Sequence, residues 1–171
     1  MKLSRLAIAA YGFAAAIVVL DQISKAWVLY GLSLREIGRI EVLPPVFNLS
    51  YVLNDGVSFG LFGGGSARWL LSLFSIVVAV ALGWWARTAD RRLLSAAIGL
   101  VMGGALGNVI DRIRFGGVVD FIDFSGAYFP WVFNIADAAI SIGVGLLIID
   151  LFRPEAKVTP APPAVEAPRV S

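Results

Sequence analysis

The chain has 171 residues, 58% hydrophobic and 15% charged, with a formal net charge of +2 and neither cysteine nor histidine. A soluble domain would carry about 45–50% apolar and about 25% charged residues, so this composition, with its mean hydropathy of +0.83, is that of a membrane protein with little outside its spans. Without Cys or His, disulfides, thiolate nucleophiles, Cys/His zinc sites and Ser–His–Asp triads are all excluded; no metal or cofactor is expected, and no nucleic acid, because the basic residues sit at span ends rather than in one patch.

The first apolar run covers about residues 6–29 and carries Asp21 and Lys25 in its last third. Roughly 20 such residues span a membrane. Lys2 and Arg5 before it, with Ala14-Ala15-Ala16 further on, also resemble a cleavable leader. The helical pattern continues past Asp21 to Tyr30, too long for one. Residues 30–68 then form a long connection, and a connection of that size has structure or function of its own. After Pro44-Pro45 it alternates, with Phe47, Leu49, Tyr51 and Leu53 on one face and Asn48, Ser50, Val52 and Asn54 on the other. Such a period of two predicts a half-buried strand. Asn54-Asp55-Gly56 is turn chemistry and Gly63-Gly64-Gly65 a hinge. A small sheet over about residues 35–62, lying on the outer membrane surface, is predicted.

The second span, about residues 69–86, is uncharged, with Trp69 at one end and Trp84 and Trp85 at the other. Aromatic ends mark membrane interfaces. A short charged turn leads to the third span, about residues 93–112, where Gly99, Gly103, Gly104 and Gly107 form small-xxx-small steps for close helix approach. The fourth, about residues 131–151, carries Asp137. Residues 154–171, rich in proline and alanine, are predicted to be a disordered tail. The fold class expected is therefore an all-α membrane protein, four transmembrane helices with a small extracytoplasmic β-sheet, in one membrane domain over residues 1–153.

Lys and Arg hug the helix ends at Lys2, Arg5, Arg87, Arg91, Arg92, Arg153 and Lys157. By the positive-inside rule that side is cytoplasmic, with both termini there. Segments 30–68 and 113–130 then face outward. Ionisable groups within spans are costly and need a partner or a purpose. On this topology Asp21, Lys25, Asn54, Asn108, Asp111, Arg112, Asp120, Asp123, Asn134 and Asp137 all fall in one leaflet. A transport pathway needs polar groups at several depths, so a one-sided site open to the outer surface fits better. Asp21–Lys25 and Asn108–Arg112 are i,i+4 pairs, and internal glue accounts for several of these residues, including an ordinary interface pair of Asp111 and Arg112. Asp137 is different, since no basic residue shares its helix face. A partner carboxylate would let the two hold one proton between them, the basis of aspartic peptidase chemistry. Asp120 is the natural partner and Asp123 its rival; spacing does not separate them.

These residues fall into blocks that resemble the lipoprotein signal peptidases (signal peptidase II). The blocks are Asp21-Gln22-Ile23-Ser24-Lys25, the run from Asn54 to Gly60, the run from Gly103 to Arg112, Val118-Val119-Asp120-Phe121, and Phe133-Asn134-Ile135-Ala136-Asp137. Each is weak alone; all in this order are specific. The resemblance implies an aspartic endopeptidase of the bacterial inner membrane. Its substrate would be a prolipoprotein, cut just before a cysteine bearing a diacylglyceryl group whose acyl chains stay in lipid. It implies Asp120 and Asp137 as the catalytic pair, over Asp123. It implies Asn54, Gly56, Asn108, Arg112 and Asn134 as substrate-binding or pair-supporting, and Asp21, Lys25 and Asp111 as structural first. Globomycin-like inhibition is implied too, and a monomer is expected. Tyr51, Leu53, Phe59 and Phe62 either exclude water or seat the sheet on lipid. The alternative is a non-enzymatic carrier or assembly subunit whose acids only bind helices together. A presenilin-type peptidase is disfavoured, because its paired Tyr-Asp and Gly-x-Gly-Asp signatures are absent.

Overall fold

A computed structural model describes residues 3–56, 66–127 and 129–153. Phe59, Phe62, the Gly63–Gly65 run and the 154–171 tail lie outside the described residues. Helix α1 (Arg5–Ala26) starts where Ser4 caps it, the side chain accepting from the Ala7 amide at 3.0 Å. It continues through a wider π-helical turn, Trp27–Gly31, into the short α2 (Leu34–Ile37). Strands β1 (Arg39–Leu43) and β2 (Phe47–Asn54) follow, then α3 (Ser66–Ala86) and α4 (Arg92–Phe115). Strand β3 (Val118–Asp123), a single 3-10 turn, β4 (Val132–Phe133) and α5 (Ile135–Leu151) complete the described chain.

Among the described residues, three helices are long and apolar enough to cross a membrane: Arg5–Gly31, Ser66–Ala86 and Arg92–Phe115. Helix α5 is shorter, at 17 residues. It begins at Ile135 rather than near Trp131, because Val132 and Phe133 pair with β3 and Asn134 caps the helix.

The glycines of α4 explain why that helix is central and the most buried. A Cβ on Gly99 or Gly103 would stand 2.6 Å from the carbonyl oxygen of Ala10 or Ala14 on α1. On Gly104 it would stand 2.4 Å from the Ala136 oxygen on α5. Without a hydrophobic drive between helices in lipid, such close backbone approach is what holds them. The small faces of α1 and α5 match it, with Ala7, Ala10, Ala14, Ala136 and Ala139 all buried.

The four strands form one antiparallel sheet in the order β1-β2-β3-β4. The sheet predicted for residues 35–62 thus takes two strands from the segment between α4 and α5 as well. The alternation expected along β2 breaks at a bulge between Leu49 and Val52, after which Val52, Leu53 and Asn54 are all exposed. Val28, Leu29, Leu34, Leu49, Val119 and Phe121 form a buried cluster that fixes the sheet on the helix ends.

Candidate active site

Where sheet and helices meet, the structure builds two carboxylate networks. The first is centred on Lys25. Its Nζ lies 2.8 Å from Asp21 Oδ2 on α1 and 2.7 Å from Asp111 Oδ2 on α4. All three side chains are at most 2% exposed. The remaining carboxylate oxygens are also matched: Asp21 Oδ1 accepts from the Ala136 amide at 3.0 Å, and Asp111 Oδ1 from Gln22 Nε2 at 2.9 Å. Asp111 Oδ2 also accepts from the Val119 amide at 3.0 Å. One lysine therefore ties α1, α4, α5 and β3 together. A Cβ on Gly107 would stand 2.8 Å from Asp21 Oδ2, so glycine there makes room for the carboxylate. The expected pairing of Asp111 with Arg112 is not formed: neighbours on a helix point about 100° apart, and Asp111 turns to Lys25 instead.

The second network contains Asp120 and Asp137, whose hydrogen-bond partners are all amides. Asp120, on β3, is 1% exposed. Its Oδ1 accepts from Asn134 Nδ2 at 2.7 Å and its Oδ2 from Asn54 Nδ2 at 3.1 Å. Asp137 stands in the first turn of α5. Its Oδ1 accepts from Asn108 Nδ2 at 2.8 Å, and its Oδ2 from the Asn134 backbone amide at 3.3 Å. Asn134 Oδ1 in turn accepts from the Asp137 amide at 2.9 Å, closing a capping box. Such a box satisfies helix-end amides reciprocally, and here it also sets the Asp137 carboxylate. Asn134 Nδ2 also donates to Asn108 Oδ1 at 3.3 Å, closing a ring through Asp137, Asn108 and Asn134 to which Asp120 is joined by Asn134 Nδ2.

Asn54 is itself held. Its Oδ1 accepts from the Gly56 amide at 3.0 Å, which leaves Nδ2 for Asp120. Gly56 has φ +77°, a conformation costly for any side chain. Burial above all, and then the charge of Asp137, push Asp120 up to about 7; the amides of Asn54 and Asn134 oppose that rise. A carboxyl with such a value can exchange a proton near neutral pH. A cavity of about 290 Å³ lined by Phe129, Trp131, Phe133, Asp137, Ser141 and Ile142 adjoins the ring.

Asp123 is not part of the ring. Three residues beyond Asp120 on a strand, it points to the other face, where Ser50 and the Ser125 amide donate to it and Arg39 stands 3.8 Å away. Burial works to raise its pKa, but those donors outweigh it and hold Asp123 below the usual carboxylate value. Arg112 makes no hydrogen bond to the network through its buried Nε, but its charge acts on Asp137, Asp111 and Asp120. Among the described residues, no group of three or more acidic side chains could hold a metal ion. Gln22, unassigned from the sequence, bridges Asp21, Asp111 and the Gly107 carbonyl. Its place between Asp21 and Lys25 was the available signal.

The family model described as signal peptidase (SPase) II matches residues 13–153. The chain belongs to the signal peptidase II family. It is similar to the lipoprotein signal peptidase of Caulobacter vibrioides, with 54% identity over 149 residues covering 85% of this chain and 88% of that one. The lipoprotein signal peptidase of Beijerinckia indica subsp. indica is 44% identical over 148 residues, with the same coverage of 85% and 88%. A solved bacterial membrane enzyme, determined in meso at 2.3 Å, superposes with a TM-score of 0.72 at 32% identity, covering 87% of this chain and 93% of that one. Membership of signal peptidase II makes the chain a peptidase, of the aspartic type as the family is. The non-enzymatic reading of its acids is therefore set aside. With its apolar helices, the chain is a bacterial membrane protein.

Proposed function

We propose that the chain removes the signal peptide from diacylglyceryl-modified prolipoproteins, cutting before the lipidated cysteine, with Asp120 and Asp137 as the catalytic pair. The observation that carries this is the amide network: Asn54, Asn108 and Asn134 hold two carboxylates at one site, and no cation hydrogen-bonds to either. Asp120, with its raised pKa, holds the proton at rest. Asp137, at a helix N-terminus where negative charge is favoured, acts as base. It takes a proton from water as the water oxygen bonds to the carbonyl carbon, while Asp120 gives its proton to the carbonyl oxygen. The tetrahedral diol then collapses. Asp137 returns its proton to the leaving nitrogen, the C–N bond breaks, and a diol hydroxyl reprotonates Asp120. Acid, amine and the starting dyad result.

In this reading Asn54, Gly56, Asn108 and Asn134 hold the pair or line the substrate path, and Arg112 meets the substrate. Asp21, Lys25 and Asp111 fasten the helices. The cavity beside Asp137 receives an apolar part of the substrate. Helix α5 is a fourth span, its 17 residues meeting the lower limit of roughly 17–25. Both termini are cytoplasmic and the carboxylates lie toward the outer surface of the inner membrane, where acyl chains hold the substrate at reach. The chain acts as a monomer, and globomycin-like peptides compete for the site.

The test is conversion of a diacylated prolipoprotein by membranes containing the protein. Asp137→Asn is expected to insert and fold but to cleave at least about 10³-fold more slowly, as loss of a unit's catalytic member does. Cleavage at the parent rate by that variant would remove Asp137 from the mechanism.

A further inference from the structure

The opposite end of the bundle holds a buried carboxylate oxygen that the peptidase site does not use. Asp150, in the last turn of α5, has Oδ1 buried without a hydrogen-bond partner. Its Oδ2 lies 3.5 Å from Arg91 Nη1, and the side chain is 12% exposed. Asp150 lines a cavity of about 270 Å³ whose other walls are Trp85, Leu94, Leu147, Ile148 and Leu151. Apart from Asp150 those walls are apolar but for an indole N–H. Arg91, which meets Asp150, caps the start of α4 and is followed by Arg92, and Arg87 follows α3 with its guanidinium 4.6 Å over the Trp84 ring.

Three chemical demands meet here. The walls suit a hydrocarbon chain, the arginines suit a phosphate, and Asp150 Oδ1 calls for an N–H donor, because a buried acceptor left unmatched is costly. An anionic phospholipid supplies the first two and no cation for the carboxylate. A choline headgroup supplies a cation but no N–H. We propose that this cavity binds a phospholipid with an ethanolamine headgroup. The ammonium donates to Asp150 Oδ1, the phosphate faces Arg91 and Arg92, and one acyl chain lies along Leu94, Leu147 and Leu151. This rests on the membrane setting of the helices and not on the assignment of the catalytic pair.

The experiment uses the full chain in nanodiscs of equal phosphatidylethanolamine, phosphatidylcholine and phosphatidylglycerol, with retained lipid counted by native mass spectrometry after release. Ethanolamine lipid is expected at about tenfold over choline lipid, the ratio one charge-assisted hydrogen bond gives. Asp150→Asn should bring the two level while peptidase activity stays as it was. The wild-type comparison needs no variant to fold. Equal retention of ethanolamine and choline lipid overturns the proposal, as does preference for phosphatidylglycerol. So does an ethanolamine preference that survives Asp150→Asn, or one that appears only after residues 154–171 are removed, which would assign the cavity to the tail.

Discussion

Replacing Asn54 by alanine isolates one contribution to the proton affinity of the proposed pair. The Asn54 amide donates to Asp120 Oδ2 at 3.1 Å, and its orientation is fixed by the Gly56 amide on its oxygen. A donor to a carboxylate stabilises the charged form and lowers its pKa, so losing it raises the pKa. Hydrogen bonds to charged groups contribute about 1.5–3 kcal/mol. Asn54 lies on the exposed end of β2, so the lower end of that range applies. At about 1.4 kcal/mol per pKa unit, Asp120 moves up from about 7 by roughly one unit. The proposed mechanism requires one proton on the pair, so activity fails on the alkaline side when that proton leaves. The alkaline limb of the pH–rate profile, measured on a lipidated peptide in detergent, should shift upward by about one unit in Asn54→Ala. Asn54→Asp adds a third carboxylate and should shift it further in the same direction. A limb that stays in place, or moves to lower pH, would refute the placement of the shared proton on Asp120.

Asp120→Asn should lose cleavage and gain stability above neutrality. A carboxylate with a raised folded pKa loses stability as pH rises from its unfolded value of 3.8 to about 7; the neutral amide has no such loss, so the variant should melt higher than the parent at pH 8, with the gap narrowing as pH falls toward the unfolded value. Lys25→Met leaves Asp21 and Asp111 buried without their cation and should cost about 3–5 kcal/mol, read as loss of folded protein in membranes and in a detergent melt. Gly104→Ala puts a methyl against the Ala136 carbonyl; overpacking of this kind costs about 1–3 kcal/mol, and moving α5 displaces Asp137, so melting temperature and cleavage rate should fall together.

The apolar runs of the long helices and the glycine steps of α4 were legible because both report local periodicity. Strand β3 was not. Five of its six residues are buried, so the Val118–Asp123 run shows no alternation from which to read a strand. Had the strand been recognised, the rivalry of Asp120 and Asp123 would have been resolved, since an offset of three puts them on opposite faces. The start of α5 was hidden by the apolar run Trp131-Val132-Phe133. The signal was present one residue later, in Asn134-x-x-Asp137, where an N-cap residue is followed by an acid at the third helical position. The cap is also the clamp on the Asp137 carboxylate. The cross-helix choice of Lys25 for Asp111 was not legible at all. Spacing along one helix gives i,i+4 partners, while Asp111 finds its cation on another helix 86 residues earlier in the chain.

The same residue type is put to opposite uses within one cluster, and the difference lies in what each aspartate is paired with. Asp21 and Asp111 share an ammonium. The ammonium offsets the burial of both carboxylates and fastens the helices that carry them. Asp120 and Asp137 have only neutral amides as hydrogen-bond partners. Amides orient the oxygens and offset part of the burial cost, and in the proposed mechanism they leave the repulsion that keeps one proton on the pair. Asn108 stands between the two networks. Its Oδ1 lies 3.4 Å from Lys25 Nζ and its Nδ2 2.8 Å from Asp137 Oδ1. An amide can face a cation on one side and a carboxylate on the other, passing position without passing charge. A lysine or an aspartate in its place would merge the two networks, and either merger would take the shared proton away or bind it too tightly.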